Sequence, residues 1–210
     1  MGLIVKEYIA EDCLLGIWKI TETYEELMSL VNLDGTEIKT VEGFGNDQRK
    51  LEWLSVRSLV ATLTESNIKI VYNDDRKPFL NDLSFNISIS HSKDLTSVLL
   101  SKKLRVGIDL EYMSHRISNV AFKFINNQEH ISDLPDVRRY HLYIHWCAKE
   151  ALYKICDKQD INFKENLTIL PFSPADKGNI TGIVENSLGK EEFKLSYLKM
   201  DNYTIVWTYK

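Results

Sequence analysis

Hydrophobic and polar positions alternate with a period of two in several short stretches, and recur with a helical period in others. FNISIS places Phe85, Ile87 and Ile89 on one face of a strand, and SVLLSKK beyond HSKD gives that strand a hairpin partner. VGIDLE does the same with Val106, Ile108 and Leu110 on one side and Asp109 and Glu111 on the other. LLGIWKITE (Leu14–Glu22) reads as a further strand, TYEELMSL (Thr23–Leu30) as a short capped helix, and DQRKLEWLSVRSLVATL (Asp47–Leu63) as a longer helix capped by Asp47. RYHLYIHWCAKEALYKIC (Arg139–Cys156) predicts a helix, followed by strands near LTIL, FKLSYL and YTIVWTY. No Pro/Gly/Ser-rich linker divides these elements.

The order of elements repeats. LGIWKI (Leu15–Ile20) lines up with VGIDLE, and EWLSVRSL (Glu52–Leu59) with HWCAKEAL (His145–Leu152). Without a gap, FNISISHSKDLTSVLLSK (Phe85–Lys102) lines up with FKLSYLKMDNYTIVWTYK (Phe193–Lys210). The common order predicts an α+β fold of two similar halves, residues 1–103 and 104–210. The same alignment sets Trp18 and Ile20 opposite Asp109 and Glu111, and Arg57 opposite Glu150. A cleft between such halves would be acidic on one wall and basic on the other, which suits a metal-bound phosphate.

Charge narrows the partners. The 26 basic and 30 acidic residues leave a net charge of −4, so no overall positive field holds nucleic acid or an anionic membrane, and any anion site is local. Three cysteines without CxxC spacing favour a reducing compartment. MGLIVKEYIA lacks the basic-then-apolar order of a secretory leader, and no run approaches the length of a membrane span, so a cytoplasmic location is expected.

Two features of this pattern carry chemistry. Asp109 and Glu111 stand about 6.6 Å apart along one strand face and repel by about 2.5 kcal/mol at an effective dielectric near 20. A solvated strand face would relieve that repulsion; so would a hard divalent cation such as Mg²⁺. On the later helix, Ile144, Ala148, Ala151, Leu152 and Ile155 form one apolar stripe, while Glu150 and Lys154 lie opposite among Tyr143, Trp146 and Cys147. Aromatic neighbours set this Glu–Lys pair apart from surface decoration and make Glu150 the candidate third acid. His91, between Ser90 and Ser92 in an expected turn, is either a surface histidine or an oxyanion contact. Lys77 before Pro78 is either loop punctuation or a phosphate contact. Cys147 has no nucleophilic arrangement around it.

The combination is what carries a resemblance. VGIDLE, followed 40 residues after Asp109 by WCAKEALYK and preceded by RKP and SISHS, is similar to the 4′-phosphopantetheinyl transferase superfamily, in its larger surfactin-synthetase-activating (Sfp-type) class. KFINNQEH (Lys123–His130) resembles the F-x-x-x-E segment carried between those motifs. The resemblance implies a pseudo-dimer of two α+β halves with coenzyme A in the cleft, and transfer of its phosphopantetheine arm to a serine of an apo acyl or peptidyl carrier protein, with release of 3′,5′-ADP. It implies Asp109, Glu111 and Glu150 as Mg²⁺ ligands, and Glu150 or a metal-bound water beside it as base. Lys154 would act on the leaving group, and Ser90, His91 and Lys77 on the nucleotide phosphates. The chain length matches a monomer of this class rather than the short trimeric synthases.

Departures bear on the expectation. Arg76 replaces the usual glycine before K-P, which questions the tight turn there, although Arg76 could itself reach a phosphate. Arg49 and Arg57 are the candidates for further phosphate contacts. Arg138 and Arg139, or Lys102, Lys103 and Arg105, are the candidate basic patches for an acidic carrier, against a plain solvated surface. The competing reading is a catalytically silent relative that binds coenzyme A or a carrier protein.

Overall fold

The structure is a computed structural model and describes residues 2–156, 161–187 and 189–210. The chain divides into two compact units, Met1–Lys103 and Leu104–Lys210, and both mix helix with sheet.

The first unit runs β1 (Leu3–Ala10), β2 (Cys13–Lys19), α1 (Tyr24–Ser29), α2 (Gly35–Glu42), α3 (Asp47–Thr64), β3 (Ile70–Tyr72), β4 (Pro78–Leu80), β5 (Asn86–Ser92) and β6 (Leu95–Ser101). Its main sheet has the antiparallel order β1-β2-β6-β5, with β3 and β4 as a separate hairpin. Trp18, Leu54, Leu59, Val60, Val98 and Leu100 join α3 to the sheet in one core. Thr23 caps α1 through a full capping box with Glu26. Asn46, not Asp47, caps α3: its side chain accepts from the Gln48 N–H at 2.8 Å. Both residue types cap well, and the one in extended backbone takes the role. β1, α2 and the β3–β4 hairpin were not expected. β1 is an edge strand with two register shifts, which break the alternation by which a strand is read.

The second unit runs β7 (Val106–Tyr112), α4 (Ile117–Val120), α5 (Pro135–Ile155), β8 (Leu167–Ile169), β9 (Lys177–Asn186), β10 (Gly189–Met200) and β11 (Tyr203–Tyr209). Its sheet has the order β7-β11-β10-β9-β8, antiparallel throughout. α5 begins at Pro135, four residues before the expected Arg139, because proline is well suited to a first helical turn. Among the described residues, no helix is long and apolar enough to cross a membrane.

Internally, the units share a strand order. β2-β6-β5 in the first corresponds to β7-β11-β10 in the second. The hairpins β5–β6 and β10–β11 both turn over two residues, and the first of each, Lys93 and Asp201, has positive φ (53° and 50°). These positions coincide in the gapless sequence alignment. The tight turn corrects one expectation: Ser90, His91 and Ser92 lie inside β5, with His91 paired to Thr96, rather than in a turn.

Candidate active site

Glycine fixes the approach of α5 to β7. A Cβ at residue 107 would collide with the Ala151 carbonyl, so only glycine lets the helix backbone lie against the strand here. Residues 107, 109 and 111 share a strand face, so Asp109 and Glu111 also face α5. That face is not a solvated one: Asp109 is 4% exposed.

The helix answers with three side chains at spacing i−3, i and i+4: Cys147, Glu150 and Lys154. Lys154 Nζ donates to Asp109 Oδ1 at 2.7 Å and to the Ile108 carbonyl at 2.9 Å. The buried Cys147 thiol points to the Thr204 carbonyl at 3.8 Å, and Thr204 pairs with Glu111 across β11 and β7. Burial, then the charges of Asp109 and Glu111, push this thiol well above its ordinary range, so it stays neutral and is no nucleophile. Because Cys147 and Lys154 both meet Asp109, Glu150 between them belongs to the same helix face.

Would these residues suit a divalent cation? Among the described residues, no three His, Cys, Asp or Glu side chains lie close enough to form a complete metal cage. Mg²⁺ does not ask for one: it is usually held by one or two carboxylates, with waters and substrate phosphates filling the octahedron. Asp109 and Glu111 are hard oxygen donors on one strand face, and Glu150 is carried by the helix packed against that face. Lys154 balances the Asp109 charge in this structure.

Lys149, next to Glu150, has a different task. It is fully buried, and its ammonium donates to Glu129 Oε2 at 2.8 Å, to the Phe163 carbonyl at 3.0 Å and to the Phe124 carbonyl. Glu129 also accepts the N–H groups of Asn126 and Ile169, both at 2.9 Å. Burial lowers the Lys149 pKa while Glu129 opposes the shift. Three donors thus meet three acceptors, and the hub ties α5 to the segments on either side of it. The quoted motifs KFINNQEH and WCAKEALYK supply both halves of this pair, but no sequence rule paired them.

In the first unit, α3 and β5 bring Arg49 and His91 together: Arg49 Nη1 lies 2.9 Å from His91 Nε2. Glu52, one turn along α3, lies 3.3 Å from His91 Nδ1 and 3.7 Å from Arg49. Sequence reasoning missed Glu52, whose only signal was its i,i+3 spacing from Arg49. Ser90 is buried in β5, its carbonyl accepting from Ser97 Oγ at 3.2 Å.

Arg57 stands apart from that cluster. Its guanidinium lies 3.1 Å from the centroid of the Trp53 ring and 3.1 Å from Glu37 Oε1, with only 8% of the residue exposed. That geometry is of a structural arginine. Arg76 and Lys77 occupy the β3–β4 hairpin. Arg76 adopts φ 59°, and its N–H reaches the Asn73 carbonyl at 2.9 Å, so the tight turn forms even without the glycine. Asn73 completes it by accepting the Lys77 N–H at 2.8 Å.

Comparison with known proteins points the same way. The profile of the 4′-phosphopantetheinyl transferase superfamily matches residues 105–208. The 4′-phosphopantetheinyl transferase HetI of Nostoc sp. is 28% identical over 120 residues, covering 51% of this chain and 50% of that protein. The match spans about half the length of that relative. The unit that carries Asp109, Glu111, Glu150 and Lys154 is thus the part of the chain that is similar to the 4′-phosphopantetheinyl transferase superfamily.

Proposed function

We propose that this protein is a 4′-phosphopantetheinyl transferase of the Sfp-type class. It moves the phosphopantetheine arm of coenzyme A to a serine of an apo carrier protein and releases 3′,5′-ADP. The observation that supports this best is the pairing of Lys154 with Asp109 beneath the helix face that carries Glu150.

Asp109, Glu111 and Glu150 are the residues that would hold Mg²⁺. Bound there, Mg²⁺ would neutralise charge on the pyrophosphate. Glu150 is the acceptor for the proton of the carrier serine, whose Oγ forms the new bond to phosphorus as the bond to the ADP phosphate breaks. Lys154, a charge-assisted donor already set at this strand, stabilises the departing phosphate oxygens. His91, Arg49, Ser90, Lys77 and Arg76 contribute donors to the nucleotide phosphates. Arg57 is left out of this set, since its guanidinium is engaged by Glu37 and Trp53.

Intact-protein mass spectrometry tests the proposal. An apo carrier protein incubated with this protein, coenzyme A and Mg²⁺ should gain the mass of one phosphopantetheine, and EDTA should abolish the gain. No gain across acyl, polyketide and peptidyl carriers, with coenzyme A still bound, would replace the enzyme with a silent binding module.

A further inference from the structure

The cluster Arg49–His91–Glu52 fixes a tautomer. A guanidinium has only donors, so the His91 Nε2 that lies 2.9 Å from Arg49 Nη1 must be the acceptor. The ring proton of a neutral His91 is then on Nδ1, 3.3 Å from Glu52 Oε2. Glu52 is itself held: Gln48 Nε2 donates to its Oε1 at 3.3 Å and to the Lys93 carbonyl at 2.6 Å. Phe44 lies under the Arg49 guanidinium, 5.6 Å from the ring centroid.

A phosphate offers only acceptors. It cannot bond to the Nε2 lone pair of this tautomer, whereas protonated Nε2 would donate to it while Nδ1–H stays on Glu52. Arg49, released from the imidazole, is then free to donate to the same anion. We infer that Glu52 is a positioning residue of the phosphate site, one that holds His91 by Nδ1 and couples anion binding to the uptake of a proton at Nε2. The inference rests on the reading that His91 meets a coenzyme A phosphate. The proton comes from solvent, the Nε2–H bond is the one bond formed, and no bond between heavy atoms changes. Among the described residues, Arg49 and Glu52 on α3 contact the His91 ring, Lys93 and Asp94 are the charged residues of the adjoining turn, and Thr96, its partner on β6, is uncharged. Arg49 and Lys93 oppose the added charge, and Glu52 and Asp94 favour it.

Coenzyme A binding, measured by calorimetry without Mg²⁺ at pH 7.5 in two buffers of different ionisation enthalpy, reads the proton directly. At that pH a phosphomonoester with a second pKa of about 6 is already dianionic, so uptake comes from the protein. The wild type should take up a substantial fraction of one proton per coenzyme A. Glu52→Gln should still bind but take up several-fold less, and His91→Asn should bind at least about tenfold more weakly. Nitrogen-15 spectra of the free wild-type protein should show His91 protonated on Nδ1, a readout that needs no variant. Equal uptake by Glu52→Gln and wild type, or an Nε2–H tautomer in the free protein, overturns the inference. His91→Asn binding as tightly as wild type overturns the phosphate-site reading itself.

Discussion

Gly107 and the carbonyl of Ala151 lie so close that residue 107 can carry no side chain without moving α5 away from the strand of Asp109. Gly16 is the matching position in β2, yet the atoms nearest to a Cβ there would be the Leu59 and Leu63 methyl ends, at 2.7 to 2.9 Å. Methyl groups can rotate aside and a helix carbonyl cannot. Gly107→Ala should therefore cost more than Gly16→Ala, toward the upper end of the ~1–3 kcal/mol range for overpacking, and should also lower transfer. Urea unfolding of both variants checks the order; equal costs would refute the close-contact argument.

Glu150→Gln keeps the shape of the side chain and removes its charge. Transfer to a carrier serine should fall by orders of magnitude, while the melting temperature stays within about 3 °C of wild type, since the partly buried Glu150 is not part of the apolar core. Near-normal turnover would remove Glu150 from the reaction.

The side chains of Lys149 and Glu129 are both fully buried, so removing one partner leaves an uncompensated charge. Lys149→Met should destabilise by about 3–5 kcal/mol. Combining it with Glu129→Leu should recover part of that loss. A double-mutant cycle in urea reads the coupling, and additive costs would show that the pair does not act as a unit.

His141 and His145 set an acid limit. Both rings are buried, their Nε2 atoms have no hydrogen-bond partner among the described residues, and burial pushes their pKa values down to about 4 and about 3. In the unfolded chain both protonate near pH 6.5. Below that pH the unfolded state binds more protons, so stability should fall from about pH 6.5 toward pH 3 and should not depend on these groups above about pH 7. Urea midpoints at pH 8, 6 and 5 test this: His145→Gln should flatten the acid limb of the curve. An unchanged slope would show that His145 is not buried neutral.

Arg76 carries a positive φ that glycine adopts at little cost. Arg76→Gly should stabilise the β3–β4 hairpin and raise global stability by about 0.5–1 kcal/mol. If Arg76 also reaches a phosphate, coenzyme A binding should weaken in the same variant. A stabilised protein with unchanged binding would assign Arg76 to the turn alone.

The local sequence determined a great deal. Period-two alternation marked β2, β5, β6 and β7, helical spacing marked α3 and α5, and the repeated order foretold a shared strand arrangement within each unit, because these depend on neighbours two to four residues apart. Asp109 with Glu111, and Glu150 with Lys154, were legible as two pairs for the same reason: each pair falls on one face of one element. Only the tertiary structure decided which faces were wet. Asp109 sits under α5 and not in solvent, Arg57 went to Glu37 and Trp53, and His91 sits inside a strand beside Arg49 and Glu52. The Lys149–Glu129 pair spans twenty residues, and Glu52 meets His91 across thirty-nine. Such partners depend on packing between elements, and no period along the chain encodes that distance.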